Sequence, residues 1–295
     1  MTPRADQPTS ETVDIARRRS TDVLDRLVSR AGLASYVALV MLFLWLPMFV
    51  IVLFSFSGSG TIHFPPRSFS LDYYIVLFFP DAVDLTITHP FDWGVVTNSL
   101  IIGSVAATVV VILGILGGYT INNYDLPLLN AFQSIALLPI IVPLIVTAIG
   151  LVIFFSFLNI NTGLGTTIIA HIVYTFPFGI IIITSSIARV DPALEDAASD
   201  LGSTRFRVFR KVTLPLIYPG VFAAWILAFT LSLNEFVITF FVSGTFLSTL
   251  PTWMWDQLRF GVSPLTYVVS ALTLFAAIGM VLVVHRLIGI QRVSK

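Results

Sequence analysis

The sequence has no cysteine among its 295 residues and almost no lysine. Without cysteine the chain can form no disulfide, thiolate metal site, iron–sulfur centre or cysteine nucleophile. Its lysines, Lys211 and Lys295, do not follow a glycine, so the Gly-x-x-x-x-Gly-Lys-Ser/Thr loop that binds nucleotide phosphates is missing. The HExxH and GxSxG motifs are missing too, which leaves little support for an intramembrane enzyme.

Charged residues are also scarce. They make up only 11% of the chain, whereas 56% of the residues are hydrophobic and the mean hydropathy is +0.93. A soluble domain of this composition would have to expose large apolar patches to water. The composition therefore predicts an integral membrane protein.

Six apolar stretches are long enough to cross a membrane, since a hydrocarbon core of about 30 Å needs about 20 helical residues. They lie at 33–57, 95–119, 131–158, 164–187, 217–242 and 264–288. A polar segment precedes the first stretch, so we expect a retained anchor and not a cleaved signal peptide. The predicted fold is all-α: a polytopic membrane protein with a tail at 1–32, a domain of six transmembrane helices at 33–288 and a tail at 289–295.

The distribution of basic residues predicts the orientation of these stretches. All but two of the Lys and Arg residues fall at 4–30, 188–215 and 286–295, segments that share one side with the loop at 122–130 if there are six crossings. The opposite side holds only Arg67 and Arg259. The positive-inside rule therefore places both termini and the loop at 188–215 in the cytoplasm. The outer loop at 58–94 carries four aspartates and is mildly acidic.

Small residues and prolines occur inside the apolar stretches. Small residues four positions apart, which let helix backbones approach closely, are Gly103, Ala107, Gly114 and Gly118. Prolines that free backbone carbonyls and allow kinks are Pro139, Pro143 and Pro177. Both features fit ordinary bundle packing as well as a helix bundle that moves.

The loop at 188–215 carries the most informative local pattern. Asp191 followed by Pro192 predicts a helix start, because aspartate caps the first amides and proline lacks an amide hydrogen that would have no partner there. Gly202 predicts the end of this helix. Between them an apolar stripe with a flat centre is formed by Leu194, Ala197, Ala198 and Leu201. Such a patch amid charges favours close contact with another protein.

A second helix is expected after the glycine. Ser203 can cap a helix over 205–212, which Leu214 and Pro215 would end. Its basic residues also have a simpler explanation, because arginines beside a membrane fix topology and contact anionic lipid head groups.

The spacing in this loop resembles a known motif. Asp196-Ala197-Ala198, three residues, Gly202, nine residues and then 212–215 (Val-Thr-Leu-Pro) resembles the EAA motif of the inner-membrane permease subunits of bacterial ABC importers. The family pattern has Glu at the position of Asp196 and Ile at the position of Val212. Segments such as LLPIIVPLIVTAIGLVIFF and LAFTLSLNEFVITFFVSG extend the resemblance to the spermidine/putrescine permease branch. We call residues 188–215 the EAA loop.

The resemblance implies a type I importer fold in which the EAA loop forms coupling helices that sit in a groove of a cytoplasmic ATPase. It places six residues at or near that contact: Glu195, Asp196, Ala197, Ala198, Gly202 and Arg205. The implied partners are a second homologous permease, an ATPase dimer and a periplasmic or lipid-anchored substrate-binding protein. ATP and Mg²⁺ would be bound by the ATPase, so the chain itself would hold no cofactor and would not be an enzyme.

Few ionisable side chains lie inside the apolar stretches, and His171 and Glu235 both fall in the outer half of the membrane, where they could share one cavity. A carboxylate buried in the membrane is costly and is a functional candidate by default. With Asn234, Glu235 could hold a substrate ammonium, and aromatic faces for cation–π contact are offered by Tyr174, Phe176, Trp225 and Trp45. The alternative is a structural pairing of Glu235 with His171 or with the backbone.

Together these patterns predict a permease subunit that forms half of the translocation pathway of an ATP-driven importer in the bacterial inner membrane. A polyamine is the expected solute from the resemblance, and a cation suits the acidic outer loop. Other amines, opines, phosphonates, sulfate and ferric iron are alternatives. A second hypothesis is a self-sufficient, ion-coupled secondary transporter in which His171 and Glu235 relay protons.

Overall fold

The computed structural model describes residues 10–58, 63–83, 91–124 and 127–293. Regular structure in these ranges is helical, apart from one isolated bridge between Ser57 and Phe69. The α-helices are α1 Ser10–Ser55, α2 Asp72–Phe78, α3 Gly94–Asn123, α4 Leu129–Ile141, α5 Leu144–Phe157, α6 Leu164–Ile187, α7 Pro192–Asp200, α8 Arg205–Val208, α9 Leu214–Leu233, α10 Val237–Val242, α11 Leu250–Phe260 and α12 Pro264–Val293. A π-helical segment, Phe209–Thr213, joins α8 to α9.

Five helical stretches of the described chain are long and apolar enough to cross a membrane: Gly32–Ser55, Gly94–Asn123, Leu164–Ile187, Arg205–Leu233 and Pro264–Leu282. The bent pair of α4 and α5 makes a sixth if it counts as one crossing. The predicted all-α, polytopic fold is confirmed. Helix α1 begins at Ser10, well inside the predicted tail at 1–32, while residues 1–9 and 294–295 lie outside the described residues.

The third stretch, 131–158, bends sharply at Pro143, one of the three prolines predicted to allow kinks. The axes of α4 and α5 differ by 111° across Val142 and Pro143. Val142 is extended, with φ −74° and ψ 130°, because the ring of a following proline disfavours the α conformation. In contrast, Pro139 lies inside α4 and Pro177 inside α6, and neither ends its helix.

The fifth stretch, 217–242, is wrong at both of its ends. Its helix begins earlier, since residues 205–233 are helical throughout, and it stops at Leu233. A separate short helix, α10, follows from Val237. The break contains the polar residues Asn234 and Glu235, but the long apolar runs on both sides keep the average hydropathy high, so hydropathy alone does not reveal it.

Helices α3, α6 and α9 pack tightly against one another. Their contacts bury apolar side chains at Val111, Ile183, Ile187, Ile217 and Ala224. A Cβ atom at Gly179 of α6 would overlap Val110 of α3, and one at Gly220 of α9 would overlap Ser186 of α6. In α3, a Cβ at Gly114 would come within 2.8 Å of Ile183. The predicted role of small residues in close helix packing is confirmed.

A second group of contacts joins α5 and α10 to the first half of α6. It buries Ala148, Phe155, Ala170, Ile238 and Val242. Helices α3 to α11 all belong to one compact unit, which comprises Leu85–Val262 and Gly279–Lys295. The other unit comprises Met1–Asp84 and Ser263–Ile278, within which the ring centroids of Phe54 and Tyr267 are 5.4 Å apart.

Candidate functional site

Helix α7 of the EAA loop begins and ends where the sequence predicts. Asp191 Oδ1 accepts a hydrogen bond from the Ala193 amide at 3.0 Å, and Pro192 is the first helical residue. At the other end Gly202 has φ +81°, a conformation that glycine adopts without steric cost. The Gly202 amide donates to the Ser199 carbonyl at 2.9 Å and the Ser203 amide to the Ala198 carbonyl at 3.2 Å. This pair of bonds is the Schellman motif that ends many helices.

The outer surface of α7 has no covering within the described chain. No residue of α7 is buried, and large apolar side chains are exposed at Leu194 (48%), Leu201 (88%) and Phe206 (71%). Asp196, Ala197 and Arg205 are exposed as well, and Ala198 is half-buried. A Cβ atom at Gly202 would meet nothing within 4 Å. The loop therefore presents a continuous, partly apolar surface.

Glu195 differs from its neighbours because its side chain turns inward. It is half-buried, and its Oε1 accepts a hydrogen bond of 2.5 Å from Thr213 Oγ1. Thr213 itself has no exposed surface. Thr213 was not singled out from the sequence, because it lies eighteen residues from Glu195 and occupies an unspecified position of the EAA motif.

The second half of the EAA loop departs from expectation. Thr204, not Ser203, precedes α8, and its side chain makes no capping bond. The predicted end at Pro215 is also wrong, because the chain stays helical and widens into the π-helical segment. Pro215 lacks an amide hydrogen and its ring crowds the carbonyl four residues earlier. The backbone accommodates it with a wider turn in which the Leu214 amide donates to Phe209.

A buried polar cluster lies at the break between α9 and α10. His171 of α6 is 1% exposed, and its Nδ1 is 2.6 Å from Ser232 Oγ while its Nε2 is 2.8 Å from Thr239 Oγ1. The Glu235 carboxylate accepts the amides of Ile238 at 2.9 Å and Thr239 at 3.0 Å. We call His171, Ser232, Glu235 and Thr239 the polar cluster.

The amide bonds of Glu235 explain why the helix breaks. The first amides of a helix have no partner within it, and a carboxylate that accepts two of them stabilises a new helix start. His171 Nε2 is 3.7 Å from Glu235 Oε2, so the structure brings these two predicted residues together. Ser232 and Thr239 were missed, because they lie in different helices on either side of the break and no local pattern pairs them with His171.

The other predicted pathway residues each have neighbours of their own. Asn234 is exposed and its Nδ2 donates back to the Thr230 carbonyl at 2.8 Å. Trp225 stacks on Phe229 with centroids 5.0 Å apart, and Phe176 packs near the same ring. Tyr174 packs with the buried contacts of α5 and α10. Trp45 of α1 is 55% exposed and belongs to the other compact unit.

Within the described chain, no group of three or more His, Cys, Asp or Glu side chains could hold a metal ion. The candidate functional features of the described chain are the exposed surface of α7, the hydrogen bond from Thr213 to Glu195 and the polar cluster.

Comparisons with known proteins agree with this fold. Residues 110–294 match the family described as "Binding-protein-dependent transport system inner membrane component". The chain is 32% identical over 246 residues to the putrescine transport system permease protein PotI of Escherichia coli (strain K12), covering 81% of this chain and 84% of that protein. It is 26% identical over 259 residues to the spermidine/putrescine transport system permease protein PotC of the same strain, covering 87% and 93%.

A solved structure supports the same fold. The chain resembles a chain of a bacterial ABC transporter involved in the import of the acidic polysaccharide alginate, with a TM-score of 0.67 and 18% identity, covering 94% of this chain and all of that one. At this identity the likeness shows the fold alone. By its family match and its curated relatives, the chain belongs to the inner-membrane components of binding-protein-dependent transport systems.

Proposed function

We propose that this permease moves a polyamine across the bacterial inner membrane, driven by ATP hydrolysis in a partner ATPase dimer that binds ATP and Mg²⁺. A second homologous permease would form the other half of the pathway, and a substrate-binding protein outside the membrane would deliver the solute. The observation that carries the ATP-driven part of the proposal is the uncovered surface of α7, which bears the EAA spacing and has no covering within the described chain.

The geometry of α7 supports a division of roles within the EAA loop. Asp196, Ala197 and Arg205 face outward, and the open space beside Gly202 leaves room for another chain to approach closely. These residues and Ala198 would form the contact with the ATPase. Both termini would then lie in the cytoplasm with the EAA loop.

Support for a polyamine comes from the two relatives and from charge. The relatives are described as putrescine and spermidine/putrescine permeases. Asp72, Asp81 and Asp92 lie in the described part of the outer loop and would favour a cationic solute. Other amines, opines, phosphonates, sulfate and ferric iron are carried by similar importers and are the alternatives to be tested.

The ion-coupled alternative receives less support from the polar cluster. A proton relay needs groups that can exchange protons with water, yet Glu235 is 5% exposed and both its oxygens accept backbone amides. Those bonds favour a structural role for the carboxylate. Contact of Glu235 and the nearby aromatic rings with the solute stays a prediction.

The test is uptake of labelled putrescine by the complete complex reconstituted in liposomes with its binding protein. We expect ATP-dependent uptake of labelled putrescine. Unlabelled spermidine should reduce this uptake by competition, and sulfate should not. Asp196→Lys should abolish at least about nine-tenths of the uptake, because a cation would replace the acidic group at a contact where a reversed charge costs several kcal/mol. The amount of the permease inserted in the membrane should not change, because Asp196 is exposed in the chain itself.

Each alternative predicts a different result. Gradient-driven uptake by the purified chain alone, without ATP, would establish a secondary transporter. ATP-dependent uptake of sulfate but not of putrescine would refute the polyamine and leave the importer. Wild-type uptake by Asp196→Lys would refute the assignment of α7 to the ATPase contact.

A further inference from the structure

The π-helical segment Phe209–Thr213 carries a hydroxyl group that points away from its own helix. Serine and threonine hydroxyls in helices often donate to the carbonyl four residues earlier. Thr120 and Ser186 do so here, at 2.8 Å each. Thr213 instead donates to Glu195 on α7, although its side chain is fully buried. Its donor therefore joins two helices of the EAA loop.

The hydroxyl of Thr213 lies where the wider turn before Pro215 ends. In the π-helical segment the Phe209 carbonyl, four residues before Thr213, accepts the Leu214 amide, five residues on. The Thr213 hydroxyl donates to Glu195 and not to this carbonyl.

The same segment is held against the membrane helices on its other side. The ring of Phe209 meets Tyr119, near the end of α3, edge to face with centroids 5.2 Å apart. Ile217, one turn beyond Thr213, is buried with Ile183 and Ile187 of α6. The bond between Thr213 and Glu195 therefore connects α7, which has no buried residue, to the packed group of α3, α6 and α9.

We propose that Thr213 and Glu195 are positioning residues of the coupling step. Their hydrogen bond holds α7 in one orientation relative to the start of α9, so that a displacement of α7 by the ATPase also moves α9. This inference rests on the proposed function of the EAA loop. The two adjacent acidic residues then have different roles. Asp196 contacts the ATPase, whereas Glu195 holds α7 in place through its hydrogen bond with Thr213.

A matched pair of variants tests the hydroxyl itself. Thr213→Val removes it at nearly constant volume, and Thr213→Ser keeps it. In the reconstituted complex, we expect Thr213→Val to lower the solute moved per ATP hydrolysed by about tenfold, a typical effect of losing a hydrogen bond to a charged group. ATP hydrolysis itself should stay within about twofold of wild type, and Thr213→Ser should keep the wild-type ratio. Equal ratios in all three proteins would overturn the proposal.

A second measurement does not depend on the solute. Since the chain has no cysteine, spin labels can be attached at Ala193→Cys and Leu216→Cys, which are both exposed. In the assembled complex we expect one narrow distance distribution with Thr213 or Thr213→Ser and a broad one with Thr213→Val. Glu195→Ala removes the acceptor of the bond and should broaden the distance distribution as much as Thr213→Val does. Because Glu195 is less buried than Thr213, this variant provides the test if Thr213→Val fails to assemble.

The outcomes separate this proposal from the function on which it rests. A narrow distribution in Thr213→Val or in Glu195→Ala would overturn the positioning role. In another outcome the wild-type complex moves no polyamine, while the distance distribution still broadens in Thr213→Val and Glu195→Ala. That result would refute the polyamine and retain the positioning role.

Discussion

At the scale of single residues, the most consequential side chain inside the membrane helices is Glu235. Its carboxylate accepts the amides of Ile238 and Thr239, and its position 3.7 Å from His171 Nε2 completes the polar cluster. Buried acceptors of this kind stabilise a helix start only while both oxygens can accept. The break between α9 and α10 therefore depends on the carboxylate as well as on the backbone.

Glu235→Gln should destabilise the protein, because the amide nitrogen of glutamine would face a backbone amide that also donates. We expect a loss of about 1–3 kcal/mol, the usual penalty for a buried polar group without a partner. Thermal unfolding of the purified chain in detergent measures it. Asn234→Ala is the control, since Asn234 is exposed and bonds only to a carbonyl within its own helix. Equal melting temperatures for wild type and Glu235→Gln would contradict the capping role.

At the scale of helices, the sequence predicts those features that are set by a few neighbouring residues. Asp191 and Gly202 delimit α7 as predicted, because a cap and a positive φ are local requirements. The break at Glu235 and the π-helical segment before Pro215 were not predicted. Each depends on which acceptor the nearby backbone amides bond to, and residue types alone do not show that. The bond from Thr213 to Glu195 joins residues that no local pattern connects. The sequence therefore identifies candidate residues such as Glu195, His171 and Glu235, but not the hydrogen-bond partners that they have in the structure.

The close packing of α3, α6 and α9 gives a prediction with an internal control. Gly179→Ala should destabilise the chain by about 1–3 kcal/mol, the range for overpacking, because its Cβ would overlap Val110. Gly150→Ala in α5 has nothing within 4 Å of the added Cβ, so it should be neutral or stabilising by up to about 1 kcal/mol. Thermal unfolding of both variants in detergent compares them. A larger loss at Gly150 than at Gly179 would refute the packing argument.

At the scale of the whole molecule, the bent pair of α4 and α5 decides on which side the EAA loop lies. If the pair crosses the membrane, there are six crossings, and the EAA loop shares the cytoplasmic side with both termini. If the pair turns back, there are five, and with the N-terminus in the cytoplasm the same loop would lie outside, where no ATPase could reach it. The basic residues of the loop favour the first arrangement by the positive-inside rule.

Labelling of introduced cysteines distinguishes these arrangements, since the chain has none of its own. Leu201 and Phe246 are suitable positions because they are 88% and 101% exposed. With six crossings, a membrane-impermeant maleimide added to spheroplasts, in which only the inner membrane is intact, should label Phe246→Cys and leave Leu201→Cys unmodified. Inside-out vesicles should give the reverse pattern. Labelling of Leu201→Cys from outside would show that α4 and α5 turn back, and the proposed contact between α7 and a cytoplasmic ATPase would then be impossible.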